Sequence, residues 1–167
     1  MTRIIAGCLL ATSLAFSGGA HAAEAEFLKS LEGNWTGKGT VKVRADSKPV
    51  NVSCKFNSDA GGTSLSLDGN CTGLVVFTRA ISADLKTSGA SYSGSYVGAG
   101  TGPAGLNGSR KGNAINLGIS WAKEVNGDRM AQMTIEKVGD NGMRLTTVDK
   151  DPKTGASVVT SRINLTK

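Results

Sequence analysis

Apolar and polar residues alternate with a period of two in short segments along most of the chain. The clearest segment is the stripe of Ile115, Leu117, Ile119 and Trp121, which is interrupted by small or polar residues. Successive side chains of a β-strand point to opposite faces, so each such segment predicts a strand with one buried face. Similar alternation recurs at residues 41–44, 50–56, 65–71, 133–135, 143–145 and 159–165.

Turn-forming residues separate these segments, with Asn-Gly pairs at residues 126–127 and 141–142 and a Gly-rich turn at 59–62. Both residues of an Asn-Gly pair tolerate a positive φ, which favours tight hairpins. We therefore predict an all-β fold, an antiparallel meander that closes into a barrel of about eight to ten strands and so leaves no exposed edge. Residues 24–31 are the exception, because Phe27, Leu28 and Leu31 lie on one side of a short amphipathic helix.

The N-terminus has the pattern of a secretory signal peptide. Arg3 precedes an apolar segment at residues 4–16, and Ala20-His21-Ala22 fits an A-x-A cleavage site. The apolar segment is too short for a transmembrane helix. The pattern predicts a signal peptide over residues 1–22, a single mature domain over residues 23–167, and a periplasmic location.

Residues 5–8 also resemble a lipoprotein processing box ending at Cys8, but they lie too close to the N-terminus for one. Cleavage after Ala22 removes Cys8, the only histidine and Arg3, which lowers the formal net charge from +6 to +5. This mild basic balance suits solubility or a weak attraction to anionic lipid or polysaccharide, and it is not a nucleic-acid footprint.

Cys54 and Cys71 are the two cysteines that remain after cleavage. In an exported chain such a pair predicts a disulfide. Opposed residues of a hairpin have a constant sum of positions, and these two face each other if the turn is centred near Gly62. Both also lie on the apolar side of their strands. The bond would therefore join the two strands of one hairpin from inside the barrel.

The mature chain offers little for catalysis. Without histidine it has no Ser-His-Asp or Cys-His arrangement and no zinc ligand set. Its carboxylates lie mostly in predicted turns, and no pair of them is marked by its spacing. We predict no catalytic residue, no metal, no cofactor and no enzymatic activity. A formal G-x-G-x-x-G match at residues 100–105 contains Pro103, which argues against the helix that a dinucleotide site requires. The glycine-rich residues 98–108 are predicted to form a flexible loop at the barrel rim.

The segment Gly33-Asn34-Trp35, directly after the predicted helix, resembles the opening of lipocalins and their calycin relatives. In those folds the tryptophan packs across the closed end of the barrel against a basic residue of a late strand. The resemblance implies that Trp35 is this plug, that Gly33 lets the chain pass under the helix, and that Arg162 stacks on Trp35. Residues 158–163 also resemble the last strand of fatty-acid-binding proteins, which implies that Arg162 is an interior anchor for a ligand carboxylate.

The pattern Trp35-x-Gly37-x-Gly39, followed by Cys54 and by Gly69-x-Cys71, resembles a group of uncharacterised exported proteins of alphaproteobacteria. That likeness implies no activity. Haem-binding calycins such as nitrobindin share the glycine-rich opening around the tryptophan, but the mature chain has no histidine to ligate haem.

Two hypotheses for the function follow. The first is a lipocalin-like barrel that binds a small apolar or anionic ligand, with Arg162 and the pair Tyr92 and Tyr96 as candidate contacts; the two tyrosines share a strand face and either line a pocket or pack at an edge. The second is a structural or protein-binding factor of the envelope with a filled barrel, acting through residues 98–108. A basic set on the first hairpin is either a solvated face or a surface for anionic envelope polymers; its members are Lys42, Arg44, Lys48 and Lys55.

Overall fold

The computed structural model describes residues 18–74 and 76–167. Arg3, the apolar segment of the predicted signal peptide and Cys8 lie outside these residues. One helix, α1 (Gly18–Leu31), precedes ten strands. The strands are β1 (Gly33–Val41), β2 (Val50–Gly61), β3 (Ser64–Gly73), β4 (Phe77–Ser88), β5 (Ser91–Val97), β6 (Ala104–Lys111), β7 (Ala114–Val125), β8 (Asp128–Val138), β9 (Gly142–Lys150) and β10 (Ser157–Thr166).

Each strand pairs antiparallel with its neighbours in the chain, and β1 pairs with β10 to close the barrel. The prediction of an all-β antiparallel barrel is therefore confirmed, with ten strands. The period-two patterns arise because one face of every strand points into the barrel. Helix α1 and all ten strands contribute buried apolar side chains to a single core.

The predicted disulfide is confirmed. Cys54 on β2 and Cys71 on β3 are directly opposed partners in the ladder, with their Cα atoms 4.1 Å apart. Both side chains are buried in the core. The sequence separation of 17 residues corresponds to a stabilisation of roughly 3 kcal/mol through loss of unfolded-state entropy.

The barrel has two distinct ends. Helix α1 lies across the end at which β1, β3, β5, β7 and β9 begin, and we call this the helix end. The opposite end, at which these strands finish, is called the mouth. The helix begins at Gly18, six residues before the predicted start, and it ends at Leu31 as predicted.

Three details of the predicted strands are wrong. Val159, expected in the buried stripe of the last strand, is 40 % exposed. Strand β1 ends at Val41, so Val43 lies beyond it and is 81 % exposed instead of continuing the buried stripe. The glycine-rich segment is a loop only over residues 98–103, because β6 begins at Ala104. Ala104 and Leu106 are buried in the barrel, and their burial turns the rest of the segment into a strand.

Within the described residues, no helix combines the length and the hydropathy needed to cross a bilayer.

Candidate functional site

Trp35 fills the helix end. Its side chain is fully buried, and its indole Nε1 donates a hydrogen bond of 2.9 Å to the carbonyl oxygen of Leu31, the last residue of α1. The ammonium nitrogen of Lys167 lies 4.8 Å from the indole centroid. Gly33 connects the helix to β1 with a φ of 132°, and a Cβ there would lie 3.1 Å from Cε of Lys167. The positive φ favours glycine at this position, and a Cβ would also require a small shift of the flexible lysine side chain.

The expectation that Arg162 stacks on Trp35 is wrong, as is its role as an interior anchor. Ile163 and Leu165 point into the barrel. Arg162, directly before Ile163, therefore points outward. Arg162 is exposed on the outer wall, where it lines a shallow depression beside Glu136 and Arg144. Two lysines lie over Trp35 instead, with the ammonium nitrogen of Lys167 at 4.8 Å and that of Lys137 at 6.0 Å from the ring centroid.

An ion pair fastens the first half of α1 to the barrel. The buried carboxylate of Glu24 receives hydrogen bonds from Arg110 Nε at 2.9 Å and from the hydroxyl of Tyr92 at 2.6 Å. The Arg110 guanidinium also lies 4.7 Å from the ring centroid of Phe27. Hydrogen bonding to Arg110 lowers the pKa of Glu24, and burial together with the bond to Glu24 raises the pKa of Tyr92. Tyr92 therefore contributes to the attachment of α1 and does not line the mouth.

The Glu24→Gln variant is expected to lose about 2 kcal/mol of unfolding free energy at neutral pH, because a charge-assisted hydrogen bond and the ion pair are both removed. The folded-state pKa of Glu24 lies below its unfolded value, so its contribution is complete above the unfolded pKa of about 4.3 and is lost as the pH falls through the folded pKa. Urea unfolding at several pH values measures this difference.

Glu26→Gln is the matched control, since Glu26 is exposed on the same helix and forms no ion pair with the described residues. Its unfolding free energy should stay within about 0.5 kcal/mol of the wild type at every pH. If both variants changed alike, the Glu24–Arg110 pair would contribute nothing specific.

Two aromatic rings meet inside the mouth. Tyr96 is near the end of β5 and Trp121 is near the end of β7, and their ring centroids are 5.8 Å apart in an edge-to-face arrangement. Tyr96 thus shares the inward face with Tyr92, as predicted, but lies about 13 Å further along the strand. Burial raises the pKa of Tyr96 to about 12, and its phenol stays protonated at neutral pH.

A buried carboxylate lies close enough to Tyr96 that its charge contributes to the raised pKa of the phenol. Asp149 is only 4 % exposed, and its Oδ2 accepts a hydrogen bond from the hydroxyl of Thr160, which is also buried. The β9–β10 register shifts between Val159 and Ser161, which makes Thr160 the extra residue of a bulge. Bulges redirect single side chains and occur often at barrel rims and next to functional sites. We call Tyr96, Trp121, Asp149 and Thr160 the mouth cluster.

The backbone is also irregular at Trp121. The β7–β8 register shifts between Ser120 and Val125, so the ladder is interrupted directly after the buried end of β7. The guanidinium of Arg129 donates hydrogen bonds to the carbonyl oxygens of Trp121 at 3.0 Å and Ala122 at 2.8 Å. The register shifts of β7–β8 and β9–β10 therefore both lie at the mouth. Towards the helix end the same strands pair without interruption.

The mouth cluster contains buried polar atoms that the rest of the barrel does not satisfy. Trp121 Nε1 is a donor and Asp149 Oδ1 an acceptor, and neither has a hydrogen-bond partner among the described residues. The buried hydroxyl of Thr101, in the loop over residues 98–103, also has no hydrogen-bond partner among these residues. An unpaired buried polar atom costs about 1–3 kcal/mol. At the helix end the Trp35 indole and Glu24 are paired, and among the described residues the buried Ser58 hydroxyl has no hydrogen-bond partner there.

The loop over residues 98–103 lies across the mouth and contacts Arg79. The Arg79 Nη1 atom donates a hydrogen bond of 3.3 Å to the carbonyl oxygen of Gly98. A Cβ on Gly100 would lie 2.6 Å from the same nitrogen, and one on Gly98 would lie 2.2 Å from the hydroxyl of Tyr96. These glycines allow the loop to lie closely over the mouth cluster.

The sequence analysis assigned no role to Asp149, Thr160 or Arg79. For Asp149 a signal exists, because the alternation that begins with Met143 and Leu145 reaches it after two further steps. A charged residue at an inward position is unusual enough to be singled out. Thr160 carries no such signal, since a bulge reverses the alternation and is not visible in the pattern.

No protein-family model matches the chain, and no curated protein matches its sequence. Among solved structures, the chain is similar to the protein described as "Crystal Structure of Rv2717c from M. tuberculosis", with a TM-score of 0.64. The alignment covers 90 % of this chain and 98 % of that one at 12 % sequence identity. At this identity the likeness concerns the fold alone.

Proposed function

We propose that this chain is a non-enzymatic binding protein of the bacterial envelope that holds a small ligand at the mouth of a lipocalin-like barrel. The observation that carries the proposal is the pair of unpartnered polar atoms, Trp121 Nε1 and Asp149 Oδ1, buried within one aromatic cluster. A ligand that supplied one acceptor and one donor would remove both desolvation penalties on binding.

The chemistry of the mouth cluster indicates the ligand class. The rings of Tyr96 and Trp121 offer apolar contact area, and the Asp149 carboxylate accepts a hydrogen bond from an amine or a hydroxyl. A carboxylate ligand would face the negative charge of Asp149, with Arg79 as the nearby compensating cation. Of the apolar and anionic ligands that the sequence suggested, we therefore favour the apolar class, in the form of a small molecule that also carries an amine or hydroxyl group.

Export to the periplasm is part of this proposal, as is kinship with the calycins and with exported proteins of alphaproteobacteria. The Cys54–Cys71 disulfide supports an oxidising compartment, because such bonds persist outside the cytosol. Among the described residues, the first side chain with a hydrogen bond to the barrel is that of Glu24, two positions after the predicted cleavage site, and this supports the proposal that the signal peptide is removed.

The test uses Trp35→Phe, which leaves Trp121 as the only tryptophan. Its fluorescence is followed while dodecylamine, dodecanol or dodecanoate is added, three probes that share a chain and differ in the head group. We expect the amine and the alcohol to bind more tightly than the acid. Adding Asp149→Asn should weaken amine binding at least about tenfold, since a charged hydrogen bond contributes about 1.5–3 kcal/mol. Asp68→Asn on the outer wall is the matched control.

A filled barrel that binds a protein is the second candidate, and the continuous packed core below the mouth favours it. In that case none of the three probes would alter the fluorescence of Trp121. Asp149→Asn would then affect only stability, and the ligand-binding proposal would be abandoned.

A further inference from the structure

The apolar side chains that are most exposed to solvent all lie at the mouth. Within the described residues, five large apolar side chains are between 65 % and 81 % exposed. They are Val43, Leu74, Val76, Phe77 and Met130, and we call them the apolar rim. They come from the β1–β2 loop, the β3–β4 turn, the first residue of β4 and the beginning of β8, all of which lie at the mouth of the closed barrel.

The β3–β4 turn combines an unfavourable backbone conformation with exposed apolar side chains. Leu74 has a φ of 50°, a conformation that glycine or asparagine adopts more readily than leucine. Its side chain is nevertheless apolar and 65 % exposed, and Val76 and Phe77 next to it are more exposed still. Neither backbone preference nor solvation explains these residues, so their exposure points to a contact outside the chain.

Basic side chains surround the apolar rim. The segments that form the mouth, residues 41–50, 73–79, 97–104, 121–130 and 149–158, contain eight Lys or Arg and five Asp or Glu, an excess of three positive charges. One of the five carboxylates, Asp149, is buried. At the helix end, α1 and Glu32 carry three carboxylates against Lys29, but the neighbouring turns and Lys167 are basic overall. The segments that form this end, residues 18–33, 58–66, 86–92, 109–115, 136–143 and 165–167, contain six Asp or Glu and six Lys or Arg, so their charges balance. The charge is therefore distributed unequally along the barrel axis, with its positive side at the mouth.

We propose that the mouth docks on an anionic lipid surface, with the apolar rim inserted among the head groups and the surrounding lysines and arginines on the lipid phosphates. Apolar side chains flanked by cations match a bilayer surface, because the apolar groups enter the head-group region while the basic residues attract anionic lipid. The acidic helix α1 then faces away from the membrane. This inference does not depend on ligand binding by the mouth cluster, although docking would place that cluster against the bilayer.

The experiment is co-sedimentation of the protein with vesicles of phosphatidylcholine alone or of equimolar phosphatidylcholine and phosphatidylglycerol. We expect binding to the mixed vesicles that weakens in high salt, and little binding to phosphatidylcholine. The double variant Val76→Ser, Phe77→Ser should lower the partition coefficient at least about tenfold, because two exposed apolar side chains no longer leave water. Val138→Ser, an exposed apolar position at the helix end, should leave it unchanged.

A second pair of variants tests the charges. Lys48→Glu at the mouth should lower the partition coefficient at least about fivefold, whereas Lys111→Glu at the helix end should not. All these positions are exposed, so the circular dichroism spectra should match the wild type.

Three results would overturn the proposal: no co-sedimentation with either vesicle, equal loss in mouth and helix-end variants, or a dimer that the Val76→Ser, Phe77→Ser variant abolishes. The last would show that a second copy covers the apolar rim. Because the Trp121 titration with soluble probes is a separate measurement, failure of docking and failure of ligand binding are distinguishable.

Discussion

The Gly94→Ala variant is expected to lose at least about 3 kcal/mol of unfolding free energy, the upper part of the range for overpacked interiors. Gly94 lies between Tyr92 and Tyr96 on β5, shares their alternation and is paired with the buried Leu85 of β4. A Cβ at this position would lie 1.8 Å from the carbonyl oxygen of Asp84 and 3.0 Å from the Cα of Leu85. Both atoms belong to the backbone of β4, so no side-chain rotation relieves the clash and the two strands must separate.

The cause is the curvature of the barrel wall. At Gly94 the backbone of the neighbouring strand leans over the inward face, and the same closeness recurs at Gly37 and Gly108, where a Cβ would lie 1.9 Å from a backbone oxygen. Glycines in strands often mark such sharp bends at barrel corners. The abundance of glycine in this chain therefore has a second origin besides turns.

Gly105→Ala and Gly118→Ala are the matched controls, because both residues lie in strands and neither has a positive φ. The closest heavy atoms to a Cβ there are at 3.9 Å and 3.6 Å, which is ordinary contact. Alanine also restricts the unfolded chain, so these variants should be neutral or slightly more stable. Urea unfolding monitored by circular dichroism measures all three. Equal midpoints would show that β4 and β5 are not as close as described.

The sequence was sufficient for the parts of the fold that depend on the alternation of side chains. The stripe from Ile115 to Trp121 identified β7 and its buried face, because side chains alternate between the two faces wherever a strand is regular. Combined with the turn near Gly62, parity also placed Cys54 opposite Cys71. A hairpin has a single register once its turn is fixed, so the disulfide followed from local information.

The parts that failed depend on where the barrel departs from regular strands or on contacts between distant segments. Thr160 points inward only because of a bulge, and the alternation of apolar and polar residues does not predict that extra residue. The contact of Lys167 with Trp35 joins residues 132 positions apart, which parity does not address. For Arg162 the alternation of β10 predicts a side chain on the outer wall. The resemblance implied an interior side chain instead, and that implication was wrong.

The Trp35→Ala variant is expected to lose about 3–5 kcal/mol of unfolding free energy, the usual cost of truncating a fully buried tryptophan. Truncation leaves a cavity under α1 and also removes the hydrogen bond to the last residue of that helix. Because Glu24 still attaches the first half of α1, the second half should open first. Hydrogen exchange should accordingly rise at residues 28–31 before the strands lose protection.

Three further variants separate the contributions at the helix end. Trp35→Phe keeps most of the apolar volume and loses the Nε1 hydrogen bond, so about 1 kcal/mol should be lost. Lys167→Ala should cost up to about 1 kcal/mol, since its ammonium lies over the indole but is exposed. Arg162→Ala should change the unfolding free energy by less than about 0.5 kcal/mol, because its side chain lies on the outer wall. A larger loss for Arg162→Ala than for Lys167→Ala would contradict the assignment of the cation above Trp35, and with it the packing of the chain terminus against the closed end of the barrel.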